Sequence, residues 1–172
     1  MKRLGIVVLS LIFSFQASAD EREVITIPSE IKALFLGEMR THLDNLNEIT
    51  LAVASGDFKS AAFVAKNKMG FGHSVREIMT VQGKSEEEIE EKLAQLRKKH
   101  GTSDHPGRGM GRYMPEEVRE LGRAFHKAAE HFANVADTVK NPPTVADYQR
   151  VFTALSETID VCSACHSSYR VE

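Results

Sequence analysis

The chain predicts an all-α fold, an antiparallel four-helix bundle, on three observations. Apolar residues recur at spacings of three and four along four stretches, the period of a helix that buries one face. Helix stop and start signals bound those stretches, and the short turns joining the first two and the last two make each pair antiparallel neighbours. No segment reads as a strand. With 172 residues, 42% hydrophobic and 27% charged, one globular domain is expected.

Met1-Lys2-Arg3, the apolar run Leu4 to Phe15 and then Ala17-Ser18-Ala19 carry the pattern of a cleavable export signal. The apolar run falls short of the roughly 20 residues that a transmembrane helix needs. Residues 1–19 are therefore expected to be removed, leaving 20–172 as an exported domain with no membrane association, and the periplasm is the address that the resemblance given below implies. Losing Lys2 and Arg3 but no acid takes the formal charge from −2 to −4. That balance offers no basic footprint for nucleic acid or for an anionic membrane.

Asp20 to Pro28 is a polar lead, expected to stay irregular. Pro28-Ser29 supplies a boundary and an N-cap. From Ser29 to Ser55 the apolar stripe runs through Ile31, Leu34, Phe35, Met39, Leu43, Leu46, Ile49 and Val53. Gly56 ends that helix. Asp57 caps a second, reaching about Met69 with Phe58, Ala61, Ala62 and Ala65 on one side.

Residues 70–114 form an expanded, helix-containing insertion between the second and third bundle helices. Gly70, Gly72 and Gly83 punctuate its start. Ser85 with Glu88 is a capping box opening a helix to about His100, expected to be a solvated surface helix because Ile89, Leu93 and Leu96 are its few apolar positions. The Gly-rich run His105 to Arg112 lacks the Lys-Ser/Thr ending of a phosphate loop.

Pro115 suits the first turn of a third bundle helix, whose stripe of Val118, Leu121, Phe125, Ala128, Ala129, Phe132, Val135 and Val139 runs to about Lys140. Asn141-Pro142-Pro143 stops it. Thr144 with Asp147 then caps the last helix, along which Tyr148, Val151, Phe152, Leu155, Ile159, Cys162 and His166 are expected to share the inward face.

That last helix carries the sharpest signal in the chain. Cys162-Ser163-Ala164-Cys165-His166 holds the only 2 cysteines in the C-x-x-C-H pattern of covalent c-type haem attachment. On a helix, positions i, i+3 and i+4 share a face, so two thioethers from Cys162 and Cys165 and an iron bond from His166 are mutually compatible. A redox disulfide would expect a βαβ setting, and structural zinc would need a fourth ligand from a distant histidine.

Read on through Ser167-Ser168-Tyr169-Arg170, the segment resembles the end of the cytochrome c′ and low-spin cytochrome c-556 family. The resemblance covers Ser29 to the end apart from the insertion. It implies a monohaem four-helix bundle with one covalent haem c, His166 as proximal iron ligand, and a distal ligand supplied by the first helix. Met39 occupies that position as a soft thioether donor, with His42 as its rival and an open iron as the third choice. A methionine on an apolar face also serves as ordinary core filler.

The resemblance further places Arg40 near a propionate, and Tyr169 and Arg170 beside the proximal side. It leaves a homodimer open. His126 and His131 read as structural or solvent-facing, and His73, His100 and His105 as candidates for accessory metal binding. The function implied is not enzymatic: one-electron transfer with redox partner proteins through six-coordinate iron. The alternative is a five-coordinate haem protein that binds nitric oxide or carbon monoxide. No distal His-Arg arrangement supports a peroxidase.

Overall fold

The computed structural model describes residues 20–71, 75–76, 79–80, 83–100 and 110–172, and the described part is predominantly helical. The expected export signal at 1–19, His73 and His105 lie outside the described residues, as does the side chain of His100. Strand β1 (Glu23–Ile25) leads into α1 (Ser29–Ala54), and α2 (Phe58–Val64) runs on into one π-helical turn (Ala65–Met69). Then follow α3 (Glu86–His100), a 3-10 turn (Met110–Tyr113), α4 (Glu116–Asp137), α5 (Val145–Ser168) and strand β2 (Tyr169–Val171). Among the described residues no helix is long and apolar enough to cross a membrane.

The helix starts follow their capping chemistry. Thr144 and Asp147 satisfy each other's backbone N–H groups, with Thr144 N donating to Asp147 Oδ2 at 2.9 Å and Asp147 N donating to Thr144 Oγ1 at 3.2 Å. Ser85 and Glu88 do the same for α3, and Asp57 accepts from Ser60 N at 3.0 Å. The expected cap at Ser29 differs. Pro28 holds the N-cap position without a side-chain bond, since proline carries no side-chain acceptor, and Ser29, inside the first turn, bonds the neighbouring Glu30 carboxylate.

One apolar cluster joins α1, α2, α4 and α5. Ile49 and Val53 of α1, Ala61 and Met69, Phe125 and Phe132 of α4, and Val151 and Leu155 of α5 are all buried in it. Burying side chains of this size contributes about 1.5–3 kcal/mol each. Helix α4 lies along α5, with α2 against α4 and α1 against α2.

Two of the expected stripes hold only in part. Leu34 and Leu43 are 63% and 68% exposed, while Asn45 is buried. Ile31, Phe35, Met39, Leu46, Ile49 and Val53 of the α1 stripe are buried or half-buried as expected, joined by His42 and Asn45. On α5, Phe152 and Ile159 are exposed and the inward line is Val151, Ala154, Leu155 and Thr158. Residues seven apart fall within about 20° of one another on a helix, so His166 lies on the same outer line as Phe152 and Ile159. Apolar residues filled both lines in sequence, and only the position of the neighbouring helix chose between them.

The helix over the insertion is also less solvated than its composition implies. Ile89 and Leu93 are each 2% exposed, and the mostly buried Arg76 side chain spans α3, bonding Glu86 at 2.6 Å and also Glu90. A spacing of four between two apolar residues suffices to bury one narrow edge.

The polar lead and the last residues, expected to be irregular or helical, form a short parallel sheet. Glu23 pairs with Tyr169, Val24 with Arg170 and Ile25 with Val171, extended by Ile27 N donating to Glu172 O at 3.3 Å and Glu172 N to Ile25 O at 3.0 Å. Ile25 and Ile27 alternate inward as a strand requires. With Met114 and Val118 they form a second cluster, against which Ile31, Phe35, Tyr169 and Val171 pack.

Candidate functional site

Between the two clusters, three helices lose burial at one level. On α5, Thr158 is buried and the next inward positions, Val161, Cys162 and Cys165, are half-buried. On α1, Asn45 is buried, while Phe35, Met39 and His42 are half-buried. On α4, Val118 and Phe125 are buried, yet Leu121 and Gly122, which share their face at three- and four-residue offsets, are only half-buried. A Cβ added at Gly122 would meet nothing within 4 Å. Cys162 and Cys165 on α5 and both candidate distal ligands on α1 therefore lie along the stretches between the two clusters, while His166 is on the exposed line of α5.

Helix α5 continues unbroken through the motif to Ser168, so Cys162 and Cys165 stand one turn apart. Both are free thiols, and Cys162 Sγ donates to Thr158 O at 3.4 Å. His166 is exposed, its carbonyl accepting from Arg22 Nη1 at 3.3 Å. Burial pushes both thiols above the usual cysteine range. They also lie in the last turns of a helix, where the dipole disfavours negative charge. A thiol–disulfide catalyst needs the opposite, a depressed thiolate at a helix N-terminus.

On the facing side, the His42 ring lies 4.7 Å from that of Phe125, tilted by 33°. Met39 is half-buried one turn earlier, and Arg40 is exposed. Arg170 sits in β2, paired with Asp20 at 3.8 Å and with Glu172. Tyr169 is half-buried against the second cluster. Burial raises its phenol, and the charges of Glu23 and Glu117 raise it further.

The other described histidines lie elsewhere. His126 is buried, its Nδ1 donating to Met69 O at 2.7 Å, a carbonyl at the end of the π-turn. His131 is exposed, 3.6 Å from Glu157. Among the described residues, no three His, Cys, Asp or Glu side chains converge as a set able to hold a metal ion by themselves.

The residues present fit a haem. Two thiols one turn apart with an adjoining imidazole are the donor set of a porphyrin linked through its edge, and the half-buried apolar walls at Phe35, Leu121 and Val161 suit its faces. Sequence reasoning missed Gly122, which read as an unremarkable helix position, and the Asp20–Arg22 contact to α5. The β-branched run Val24-Ile25-Thr26-Ile27 was the available signal for the latter. Comparison with protein-family models, curated proteins and solved structures gives no match.

Proposed function

We propose that the chain is a c-type cytochrome of the cytochrome c′/c-556 kind: a four-helix bundle of α1, α2, α4 and α5, exported to the periplasm, that passes single electrons between redox partner proteins. One observation carries the reading. Between the two apolar clusters, Met39 and His42 of α1, Leu121 and Gly122 of α4 and Cys162 and Cys165 of α5 are all only half-buried, which supports a site for a bound group there.

Cys162 and Cys165 would hold one haem c covalently, and His166 would ligate its iron. When bound, the haem supplies reversible one-electron chemistry at iron. The chain's own part is to exclude water from the ring with Phe35, Leu121 and Val161 and to present a donor from α1. Met39 is that donor, as a soft thioether that favours the ferrous state relative to a second imidazole. His42 is its rival, one turn nearer the buried core. Room beside Gly122 favours a second reading, a five-coordinate haem that takes up nitric oxide or carbon monoxide.

The test is to mature the chain with haem-attachment machinery and record its mass and reduced spectrum. A haem mass retained after denaturation and absent from Cys162→Ala/Cys165→Ala supports the proposal, whereas a colourless chain of unmodified mass overturns it. A sharp low-spin α band that resists carbon monoxide assigns electron transfer, and a high-spin spectrum with rapid carbon monoxide uptake assigns gas binding. Met39→Ala should turn low-spin into high-spin; an unchanged spectrum moves the distal ligand to His42.

A further inference from the structure

The iron ligand expected at His166 lies in the last turn of α5, where carbonyls have no partner within the helix and turns fray. Here that turn is tied down from residues far away in sequence. Arg22 Nη1 donates to His166 O at 3.3 Å. Asp20 holds Arg22 in place, accepting from Nη2 at 2.6 Å, from Nε at 2.9 Å and from Arg22 N at 3.2 Å. Asp20 also approaches Arg170 Nε to 3.8 Å. The next residues pair strand to strand from Glu23↔Tyr169 onward.

The same segment reaches the opposite wall of the site. Ile25 and Ile27 are buried in the second cluster, where Phe35 of α1 packs along with Tyr169 and Val171. Residues 20–27 thus contact the chain immediately after His166 and the stretch of α1 that leads to Met39. At this end the segment shares the second cluster with Met114 and Val118, whereas Ile49, Phe132 and Val151 pack further along the helices.

We propose that residues 20–27 are a clasp that holds the His166 turn of α5 and fixes the width of the haem site between α5 and α1, with Arg22 as a positioning residue for His166. The inference rests on the haem reading for its functional meaning. Arg22 touches only the backbone of His166, so its loss would loosen the turn without removing a ligand. Releasing the clasp would loosen the hold of His166 on a bound haem iron.

Two measurements on the full chain separate this proposal from the haem reading itself. The first is hydrogen exchange without haem. Arg22→Gln should speed exchange of amides 166–171 roughly threefold to tenfold, the loss expected for one ordinary hydrogen bond at an exposed site, and leave those around Val151 to Thr158 unchanged. Arg22→Lys, which keeps the charge and a donor, should restore most of the protection. Unchanged exchange at 166–171, or a uniform rise along α5, overturns the clasp whether or not the chain carries haem.

The second uses the haem-loaded protein. Arg22→Gln should raise its high-spin fraction and shift its reduction potential, with Arg22→Lys close to the parent in both. The double variant Ile25→Ala/Ile27→Ala should give the larger spectral change. Should that variant fail to fold, Arg22→Gln still decides, and a holo spectrum and potential identical to the parent overturn the proposal.

Discussion

The two ends of the α1–α4–α5 assembly are built from the same helices and equally apolar sequence, yet they pack differently. At one end Ile49, Phe132, Ala136 and Val151 are sealed against each other. At the other, Met39, Leu121, Gly122 and Cys162 are left half-covered between two separate clusters. Protein interiors pack like organic crystals and tolerate few voids. On the proposed haem reading, the half-covered stretch would be closed by the bound group, with the sealed end as its anchor.

The strongest way to break this comparison is to remove the thiols. Cys162→Ala/Cys165→Ala should abolish covalent haem retention, read as absorbance after denaturing electrophoresis, while leaving the helical circular dichroism of the haem-free chain intact. Next in size, Phe132→Ala at the sealed end should cost about 3–5 kcal/mol in denaturant unfolding. Leu121→Ala at the open end should cost less than about 1.5 kcal/mol in the haem-free chain, because less of its surface is withdrawn from water. Equal costs would erase the distinction between the ends.

Gly122→Leu sharpens it. A leucine has a higher helix propensity and finds open space, so the haem-free chain should gain up to about 1 kcal/mol, while haem uptake during maturation should fall. A destabilised haem-free chain would show that no gap exists there. At the far end of α5 the cap makes a control remote from the site. Thr144→Ala should lower stability by about 1 kcal/mol without altering any haem spectrum.

The same cap sets the smallest expected effect, in acid. Bonds from Thr144, and then from Arg150, hold the Asp147 carboxyl down at about 2. A depressed carboxyl contributes stability that is fully present above the ordinary aspartate value near 4 and is lost as pH falls through its folded value. Asp147→Asn should therefore flatten the dependence of stability on pH between about 4 and 2. An unchanged slope, measured by acid titration of unfolding, would remove this cap from the stability of α5.

Much of the architecture was legible in the residues. Both capping boxes form where Ser85/Glu88 and Thr144/Asp147 predict them, because the partners lie within one turn and need no tertiary contact. The π-turn at 65–69 was not legible, since its carbonyls are satisfied from elsewhere: Lys68 O by Asn45 Nδ2 at 3.4 Å and Met69 O by His126. Gly70 follows for the same reason. A Cβ there would stand 2.6 Å from Lys66 O within the same turn and 2.9 Å from Glu130 Cγ, and only the second of these comes from an element far away in sequence.

The sheet escaped notice because three-residue strands carry almost no periodicity and gain their stability only from a partner 146 residues away, as between Glu23 and Tyr169. The site divides along the same line. Spacing alone put Cys162, Cys165 and His166 on one helix end, a consequence of covalent geometry and the helical repeat. That Leu34 and Leu43 turn outward, that His166 is exposed, and that Leu121 and Gly122 are only half-covered were decided by how the helices lie against one another. Sequence periodicity defines an apolar stripe only to within a turn's width, and the neighbour that covers it selects the line that is buried.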